Sequence, residues 1–332
     1  MVNDDLIARA QAGDGEAFRK LTEPHRRELQ VHAYRMLGSM DDAEDALQDT
    51  LLAAWQGLAA FEERSSLRTW LYQIVTRRCL NALRAAKRRP AKEWDMPYPE
   101  LPDPSRVGEV VWLEPYPDAL FKDAIEAVGP EARYEQTEAI SLAFITALQV
   151  LPARQRAVLI LRDVLGYHAD QVAEMLDATV GSVNSLLKRA RATMHERLPA
   201  SDREPAPGPN SPDEQALVNN FVRAFQNGDV DALVALLTAD VKLSMPPIPL
   251  EYHGRDVVAR FYAAMMATGR RYHLVPTRAN GQLAFGVYLP NPHGPARGSG
   301  LVVVTLNGSR ISDIVRFESH LLAKFGLPKT LP

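Results

Sequence analysis

Two proline- and acid-rich stretches divide this 332-residue sequence into three parts. The first, "RRPAKEWDMPYPELPDPSRVGEVVWLEPYPD", runs from Arg88 to Asp118, and the second, "PASDREPAPGPNSPDE", runs from Pro199 to Glu214. Proline removes a backbone donor, and segments so rich in proline and acid bury too little apolar surface to fold alone. We therefore expect linkers here, although the inset "VVWLEPYPD" is apolar enough to dock on another part of the chain.

The three parts differ in the pattern of their apolar residues. Before Pro90, and again from about 131 to 198, apolar residues recur at helical spacing, which predicts all-α regions. In "DDAEDALQDTLLAAW" we expect Asp41 to be the N-cap, with Glu44 at the capping-box position. The apolar stripe of that helix would be Ala43, Leu47, Leu51 and Trp55. After the second break, one helical segment precedes β-branched and aromatic runs with Asn-Gly turns, which is typical of an antiparallel sheet with hairpins.

Charge is unevenly distributed along the chain. The formal net charge is only −3, yet from Phe61 to Glu93 nine Lys/Arg face three Glu, whereas from Trp94 to Ile140 three Lys/Arg face eleven Asp/Glu. Such blocks indicate a polyanion-binding surface beside an acidic segment. A solvated helix next to a solvated linker is the plainer interpretation, but the basic residues are interspersed with aromatic ones.

Several classes of protein are disfavoured. Cys79 is the sole cysteine, so neither an intramolecular disulfide nor a cysteine cluster for zinc is expected, and a reducing cytoplasm is the natural location. No apolar run approaches the ~20 residues of a membrane span, and the N-terminus is polar and acidic, unlike a signal peptide. We expect no cofactor and no metal.

The stretch "GYHADQVAEMLDATVGSVNSLLKRARATMHERL" has the pattern of a helix-turn-helix. The turn would fall at Asp177–Ala178, and Thr179 would cap the second helix. The buried stripe of that helix would be Val180, Val183, Leu187 and Ala190. The residues left outward would read base edges and grip phosphates; they are Ser182, Asn184, Ser185, Lys188 and Arg189, with Arg191 at the flank.

An ordinary helical hairpin with a charged outer face is the alternative. From Thr179 to Leu198 four Lys/Arg face one Glu, so the helix has few cations for phosphate contacts and would bind DNA weakly by itself. A DNA-reading role therefore requires a second anchor.

Two segments together resemble an extracytoplasmic-function (ECF) sigma factor, the promoter-recognition subunit of bacterial RNA polymerase. "MDDAEDALQDTLLAAWQGLAAFEERSSLRTWLYQIVTRRCLNALR" is similar to region 2 of that family, and "LPARQRAVLILRDVLGYHADQVAEMLDATVGSVNSLLKRARA" is similar to region 4. The resemblance implies two partners, core RNA polymerase and promoter DNA.

The resemblance also implies residue roles in region 2. An acidic helix would dock on the coiled coil of the largest polymerase subunit through Asp41, Glu44, Asp45, Leu47, Gln48, Asp49 and Leu51. The loop Phe61–Ser66 would capture a base flipped from the −10 element, with Phe61, Ser65 and Ser66 at the base. Backbone contacts would come from Arg64, Arg68, Arg77, Arg78 and Asn81. Trp70 is expected in the core.

In region 4, the outward residues of the recognition helix would read the −35 element. Many ECF factors carry a basic residue at the place of Asn184 and an arginine at the place of Leu186, so base preference does not transfer to this chain. The −10 loop carries Glu62 and Glu63, where glycine or a basic residue is common, and its preference is equally open.

The C-terminal part resembles a SnoaL-like domain, the cone-shaped α+β barrel shared with ketosteroid isomerases and polyketide cyclases. Their catalytic carboxylate would fall at Met245–Pro246, where this chain has none, so catalysis is disfavoured and we expect no catalytic residue. A small hydrophobic ligand could be held by a pocket of Met245, Tyr252, Phe261, Phe285, Tyr288 and Phe317, but a plain core is favoured.

Sigma factors with this appended domain form an ECF subgroup in which the domain and a linker motif are thought to regulate the factor in cis. The motif resembles Trp112, Leu113, Glu114 and Pro115 here. With an attached regulator, an anti-sigma factor is not expected to be required. The alternative function is a free-standing helix-turn-helix regulator with a ligand-binding barrel, in which the acidic helix would have no role.

The expected fold is therefore multidomain, with two all-α sigma domains followed by an α+β cone-shaped barrel. The expected boundaries are region 2 at 1–92, an acidic linker at 93–130, region 4 at 131–199, a second linker at 200–212 and the SnoaL-like domain at 213–332.

Overall fold

The computed structural model describes residues 2–86, 101–108, 113–120, 139–198, 204–267 and 269–332. The chain forms two compact units. We call Met1–Ala91 with Phe121–Leu198 the helical unit, and Lys92–Leu120 with Pro199–Pro332 the sheet unit. The acidic segment that the sequence predicted as a linker thus groups, as far as Leu120, with the C-terminal part.

The described part of the helical unit is built from α-helices joined by short turns. The helices are α1 (Val2–Gln11), α2 (Gly15–Leu37), α3 (Met40–Gly57), α4 (Leu67–Ala86), α5 (Leu142–Val150), α6 (Ala153–Leu159), α7 (Ala169–Met175) and α8 (Val180–Arg197). A 3₁₀ turn, Leu58–Ala60, follows α3, and a π-helical turn, Ile160–Val164, follows α6.

Local chemistry fixes the ends of these helices. The Asp14 carboxylate accepts hydrogen bonds from the first amides of α2, and Gly38 ends that helix in the left-handed conformation (φ 76°) that glycine adopts without strain. The next cap corrects our expectation for α3. Ser39, not Asp41, is the N-cap and accepts from the Asp42 amide, so Asp41 lies inside the first turn.

Buried arginines connect α2 to the helices that follow residue 139. Arg156 donates to the Met36 carbonyl and to Gln149, and Arg35 donates to the Ala139 carbonyl over 2.9 Å. Burial lowers the pKa of Arg156 to about 10, but the group remains a cation at neutral pH. Regions distant in sequence therefore share one core in this unit.

The sheet unit contains one mixed sheet. Its strands are β1 (Arg106–Val107), β2 (Leu237–Met245), β3 (Ile248–His253), β4 (His273–Ala279), β5 (Gln282–Asn291), β6 (Gly294–Asn307), β7 (Arg310–Phe317) and β8 (Thr330–Leu331). The order is β1-β3-β2-β7-β6-β5-β4, with β8 beside β6. The sequence predicted antiparallel pairing. The strand pairs follow this prediction except for β2 with β7, which run parallel.

Helices cover one face of this sheet and enclose the core. They are α9 (Pro212–Asn227), α10 (Val230–Ala235) and α11 (Arg255–Ala267). Phe221 and Phe225 of α9 and Phe261 of α11 pack against strand residues such as Phe285 and Val302. The β4–β5 hairpin turns at Asn280 (φ 56°) and Gly281 (φ 72°), as the Asn-Gly pair predicted. The prediction of helical regions followed by an α+β domain is confirmed.

Candidate nucleic-acid interface

The helix-turn-helix consists of α7, a tight turn and α8. Asp177 adopts a left-handed backbone (φ 48°), and the Thr179 hydroxyl accepts a hydrogen bond from the Ser182 amide, as the sequence predicted. The buried stripe of α8 differs from the predicted stripe by one residue at each end. Met194 is buried with Val183, Leu187 and Ala190, whereas Val180 is 44% exposed.

The predicted base-reading residues all lie on the exposed side of α8: Ser182, Asn184, Ser185, Lys188 and Arg189. Hydroxyl and amide groups can both donate and accept hydrogen bonds at base edges, and the two cations suit phosphate or guanine. Leu186 is half-buried at the margin of this surface. The first turn of a recognition helix contacts bases most directly, so the exposed Val180 belongs to the surface although its apolar character suggested the core.

Arg191 has a partner within the helical unit. Its guanidinium forms two hydrogen bonds to the Asp163 carboxylate, at 2.7 and 2.8 Å, and these bonds raise the pKa of Arg191. A phosphate would have to compete with Asp163 for this side chain, which distinguishes it from Lys188 and Arg189.

The loop before α4 corrects the expectation for Phe61. Its side chain is 8% exposed and packs on Trp70 with ring centroids 4.9 Å apart, so it cannot hold a flipped base without leaving the core. Trp70, which we expected in the core, is half-buried and packs against the apolar cluster that includes Leu21, Leu58 and Phe61. The Gln11 amide of α1 donates to the carbonyls of Leu58 and Phe61 and fixes the start of the loop.

The rest of the loop is accessible. The Arg64 side chain is 84% exposed and lies 3.2 Å from Glu62. Ser66 is exposed, and its hydroxyl accepts from the Thr69 amide and thereby caps α4, while Ser65 is half-buried. Arg78 and Asn81 are exposed on α4, with Asn81 accepting a hydrogen bond from Arg84.

Arg68 is part of an internal network. It binds both carboxylate oxygens of Glu28, the shortest distance being 2.7 Å, and lies over the Tyr72 ring at 4.8 Å. Burial acts to raise the pKa of Glu28, but hydrogen bonds with His25 and Arg68 outweigh it and the pKa is lowered. The Arg68 charge is therefore largely neutralised within the fold.

Arg77 connects α4 to the turn of the helix-turn-helix. Its guanidinium lies 2.9 Å from the Asp177 carboxylate and 3.3 Å from the Met175 carbonyl. Two residues predicted to track DNA, Arg68 and Arg77, thus have protein partners in this structure.

The acidic face of α3 is exposed, as a docking surface must be. Asp41, Glu44, Asp45, Gln48 and Asp49 all reach solvent. Leu47 does not, because it is 5% exposed in the core of its own unit, and Leu51 is half-buried. The apolar residue on the outer face is Leu52, which is 56% exposed. The sequence pattern missed it because the stripe Ala43–Leu47–Leu51 already satisfied helical periodicity.

The predicted regulatory motif lies in the sheet unit. Trp112 falls outside the described residues, but Leu113, Glu114 and Pro115 are buried, and Glu114 lies 3.7 Å from Lys324. Next to them, the Tyr116 backbone exchanges two hydrogen bonds with Asn280, one to its side chain and one from its amide. Asp118 accepts from the Gly281 amide and pairs with Arg278.

A second attachment lies at the other edge of the sheet. Strand β1 pairs with β3, and Arg106 lies 3.2 Å from Glu251. Tyr252 donates to the Pro102 carbonyl, and Ser105 accepts from the His253 amide. We call 101–108 and 113–120 the linker segments; both are integral to the sheet unit.

Comparison with known proteins decides the family. Family models for sigma-70 region 2, sigma-70 region 4 and a SnoaL-like domain match residues 21–89, 141–194 and 218–324. The ECF RNA polymerase sigma factor SigG of Mycobacterium tuberculosis is 40% identical over 324 residues, which is 95% of this chain and 85% of that protein. The chain belongs to the ECF RNA polymerase sigma factors.

Two further matches agree with this assignment. The ECF sigma factor SigM of M. tuberculosis is 32% identical over 59% of this chain and 84% of its own length. The crystal structure of the M. tuberculosis ECF sigma factor SigJ covers 92% of this chain and 97% of its own, with a TM-score of 0.57 and 22% identity, which shows a shared fold. None of these matches favours the free-standing regulator.

Met245–Pro246 is the place in the SnoaL-like domain where we expected the isomerases' carboxylate to fall. Met245 is 6% exposed and packed in the core, and Pro246 follows it. Among the described residues, no group of three or more His, Cys, Asp or Glu could hold a metal ion. Within the same residues, no helix is long and apolar enough to cross a membrane.

Proposed function

We propose that this sigma factor docks on core RNA polymerase through the outer face of α3 and reads its promoter with the α4 region and α8. The support for polymerase docking is an exposed apolar residue, Leu52, among Asp45, Gln48 and Asp49. An apolar centre with a polar rim is the usual composition of a protein–protein interface. Sigma-factor function itself follows from family membership.

Promoter reading is carried by the exposed side of α8, to which we add Val180. At the −10 element, the exposed Arg64, Ser66, Arg78 and Asn81 are the primary contacts. Arg68 and Arg77 join them only if DNA displaces Glu28 and Asp177. At the −35 element, Arg191 contributes only if DNA displaces Asp163. We assign no direct base contact to Phe61.

We further propose that the SnoaL-like domain regulates initiation in cis by holding the linker segments. The connection between regions 2 and 4 passes through these segments. A fully extended chain spans about 3.3–3.6 Å per residue. A segment that is bound to a folded domain cannot extend in this way and spans much less. Attachment therefore limits how far the two DNA-reading regions can separate. This role needs neither catalysis by the domain nor a separate anti-sigma protein.

The dissociation constant for purified bacterial core polymerase tests the docking proposal, and run-off transcription on a genomic promoter library tests promoter recognition. Leu52→Ser should weaken core binding about tenfold or more, since burying a leucine side chain contributes about 1.5–3 kcal/mol. Leu52→Met keeps the apolar anchor and should bind like the parent protein. If Leu52→Ser binds core as tightly as Leu52→Met, the assigned docking face is wrong.

A further inference from the structure

The last residue of α1, Gln11, is hydrogen-bonded to the chain at the point where it leaves α3 and enters the −10 loop, residues 61–66. The side-chain amide nitrogen of Gln11 donates to the Leu58 carbonyl at 3.2 Å and to the Phe61 carbonyl at 3.1 Å. A glutamine amide has two N–H donors, so each carbonyl can receive one of them. Gln11 therefore bridges the first residue of the 3₁₀ turn and the first residue of the loop.

These two carbonyls lie on either side of a change in backbone direction. The Phe61 amide closes the 3₁₀ turn by donating to the Leu58 carbonyl at 3.0 Å, and Phe61 itself is extended (φ −78°, ψ 108°). The direction in which the loop leaves α3 is thus decided at Phe61. Because hydrogen bonds weaken steeply when they are misaligned, the Gln11 amide restricts the orientation of both carbonyls.

Apolar contacts bring α1 to this position. Ile7 and Ala10 of α1 are buried in one cluster with Leu58 and Phe61. Apolar packing is non-directional, so it holds side chains in place without fixing the direction of a carbonyl group. The directional part of the contact between α1 and the loop comes from Gln11.

Beyond its first residue, the loop depends on its ends for its shape. The side chains of Glu62 and Arg64 are 69% and 84% exposed. Glu63 is exposed and has a left-handed backbone (φ 55°), which residues other than glycine rarely adopt. The far end of the loop is held by Ser66, whose hydroxyl accepts a hydrogen bond from the Thr69 amide of α4. An exposed loop keeps an unfavourable backbone conformation only when the surrounding structure holds it there.

We propose that Gln11 is a positioning residue for recognition of the −10 element. By orienting the start of the loop, it sets where Arg64 and Ser66 meet an unpaired base. Contacts to phosphates hold the DNA without reading its sequence, whereas contacts to base edges need accurate placement. Gln11 should therefore affect the choice of base more than the total affinity for DNA. Gln11 lies outside residues 21–89, which match sigma-70 region 2, and this inference rests on the proposed reading of the −10 element by the α4 region.

Run-off transcription by reconstituted holoenzyme tests this role. In the promoter that the parent holoenzyme transcribes most strongly from a genomic library, each position of the −10 and −35 elements is changed in turn to the other three bases. The discrimination ratio is the transcript from the preferred base divided by the transcript from the substituted base. Gln11→Met keeps the length of the side chain and removes its donors. In this variant the ratio should fall about fivefold at one or more −10 positions, as expected when one hydrogen bond to a base is misaligned, and should not change at −35.

Two further variants separate positioning from charge and from stability. Gln11→Glu keeps the shape of the side chain but replaces its donors by acceptors, so it should lower the ratio at the same −10 positions. Gln226→Glu makes the same charge change at an exposed residue of α9 and should match the parent protein. A purely structural role would lower transcription from all these promoters alike and leave the ratios unchanged.

Parent ratios in the two Gln11 variants would overturn the inference. If only one of the variants folds, that variant decides; if neither folds, Gln11 has a structural role and the inference is wrong. Arg64→Met separates this outcome from failure of the proposed function. If Arg64→Met lowers the −10 ratio and the Gln11 variants do not, the loop reads the element without Gln11. If none of them lowers it, the proposed reading by the loop is wrong as well.

Discussion

Val180 and Asn184 lie one helical turn apart on the exposed side of α8. An asparagine amide can bind the N6 and N7 edge of adenine, while an apolar side chain contacts the methyl group of thymine. Their spacing predicts that the −35 element contains a thymine beside an adenine. Many ECF factors carry a basic residue at the place of Asn184, so this chain should differ from them in base preference.

A single methyl group tests the Val180 contact. The thymines of the −35 element are replaced by deoxyuridine one at a time. At the position that Val180 contacts, the replacement should weaken holoenzyme binding about fourfold, since one buried methyl contributes ~0.8 kcal/mol. Val180→Ala should bind thymine and uracil equally there, and Val180→Ile should still discriminate. A methyl effect of the same size in Val180→Ala would exclude the contact.

His32 shows the effect of burial on one titratable group. It is fully buried, its Nε2 lies 2.9 Å from the Thr76 hydroxyl, and that hydroxyl donates to the Tyr72 carbonyl. His32 must therefore donate from Nε2, which leaves Nδ1 unprotonated and without a hydrogen-bond partner among the described residues. Burial, helped by Arg35, lowers the pKa of His32 from 6.5 to about 3.

This depressed pKa predicts acid sensitivity. Between about pH 6.5 and 3 the unfolded chain binds a proton that the folded chain does not. The contribution of His32 to the free energy of unfolding is therefore highest above pH 6.5 and falls as the pH is lowered through this range. In His32→Gln, the free energy of urea unfolding should depend less on pH, by up to about 1.4 kcal/mol per unit between pH 6.5 and 5. His195→Gln, which removes an exposed histidine, should leave the slope unchanged. Equal slopes in the two variants would contradict the assignment.

At the scale of elements, the turn before α8 would compete with DNA for Arg77 of α4 in the proposed promoter complex. The pair with Asp177 is partly exposed, with side chains 46% and 80% accessible, and such pairs contribute only about 0–1 kcal/mol. DNA can therefore displace it at modest cost. We therefore expect this ion pair to weaken DNA binding by the isolated sigma factor without preventing it.

Asp177→Asn should release Arg77 without straining the turn, because asparagine tolerates a left-handed backbone as well as aspartate does. Affinity of the full chain for a −10 single strand, measured by fluorescence anisotropy, should rise up to about fivefold. Asp170→Asn makes the same charge change on α7 at an exposed carboxylate and is the control. If both variants bind alike, net charge and not the Arg77 pair is responsible.

At the scale of the whole molecule, the linker segments make the SnoaL-like domain part of the path between regions 2 and 4. Asn280 is central to that attachment, since its side chain and its amide both bond to Tyr116. A truncated chain would lose the surface that buries Leu113 and Tyr116, so a point variant is the cleaner probe.

Asn280→Gly removes the side-chain acceptor and keeps the left-handed backbone. Losing one buried hydrogen bond weakens the attachment by about 1 kcal/mol, so run-off transcription should rise about fivefold. Asn210→Gly removes another left-handed asparagine, whose bonds to α9 run through its backbone, and should match the parent protein. Unchanged or lower activity in Asn280→Gly would show that attachment of the linker segments to the SnoaL-like domain does not restrain initiation.

The amino-acid sequence by itself determined features that depend on neighbours within a few residues. The Thr179 cap, the turn at Asp177, the Asn280–Gly281 hairpin and the helical stripes are of this kind, because capping, left-handed turns and periodicity act within one or two helical turns. The helix-turn-helix and the acidic helix could therefore be located from the order of the residues alone.

Only the tertiary structure decided which members of an apolar pattern are buried. Leu47 packs inside while Leu52 stays outside, Phe61 is buried while Val180 is exposed, and Tyr116 meets Asn280 across 164 residues. These outcomes depend on which distant segments cover each face, and local periodicity carries no information about that.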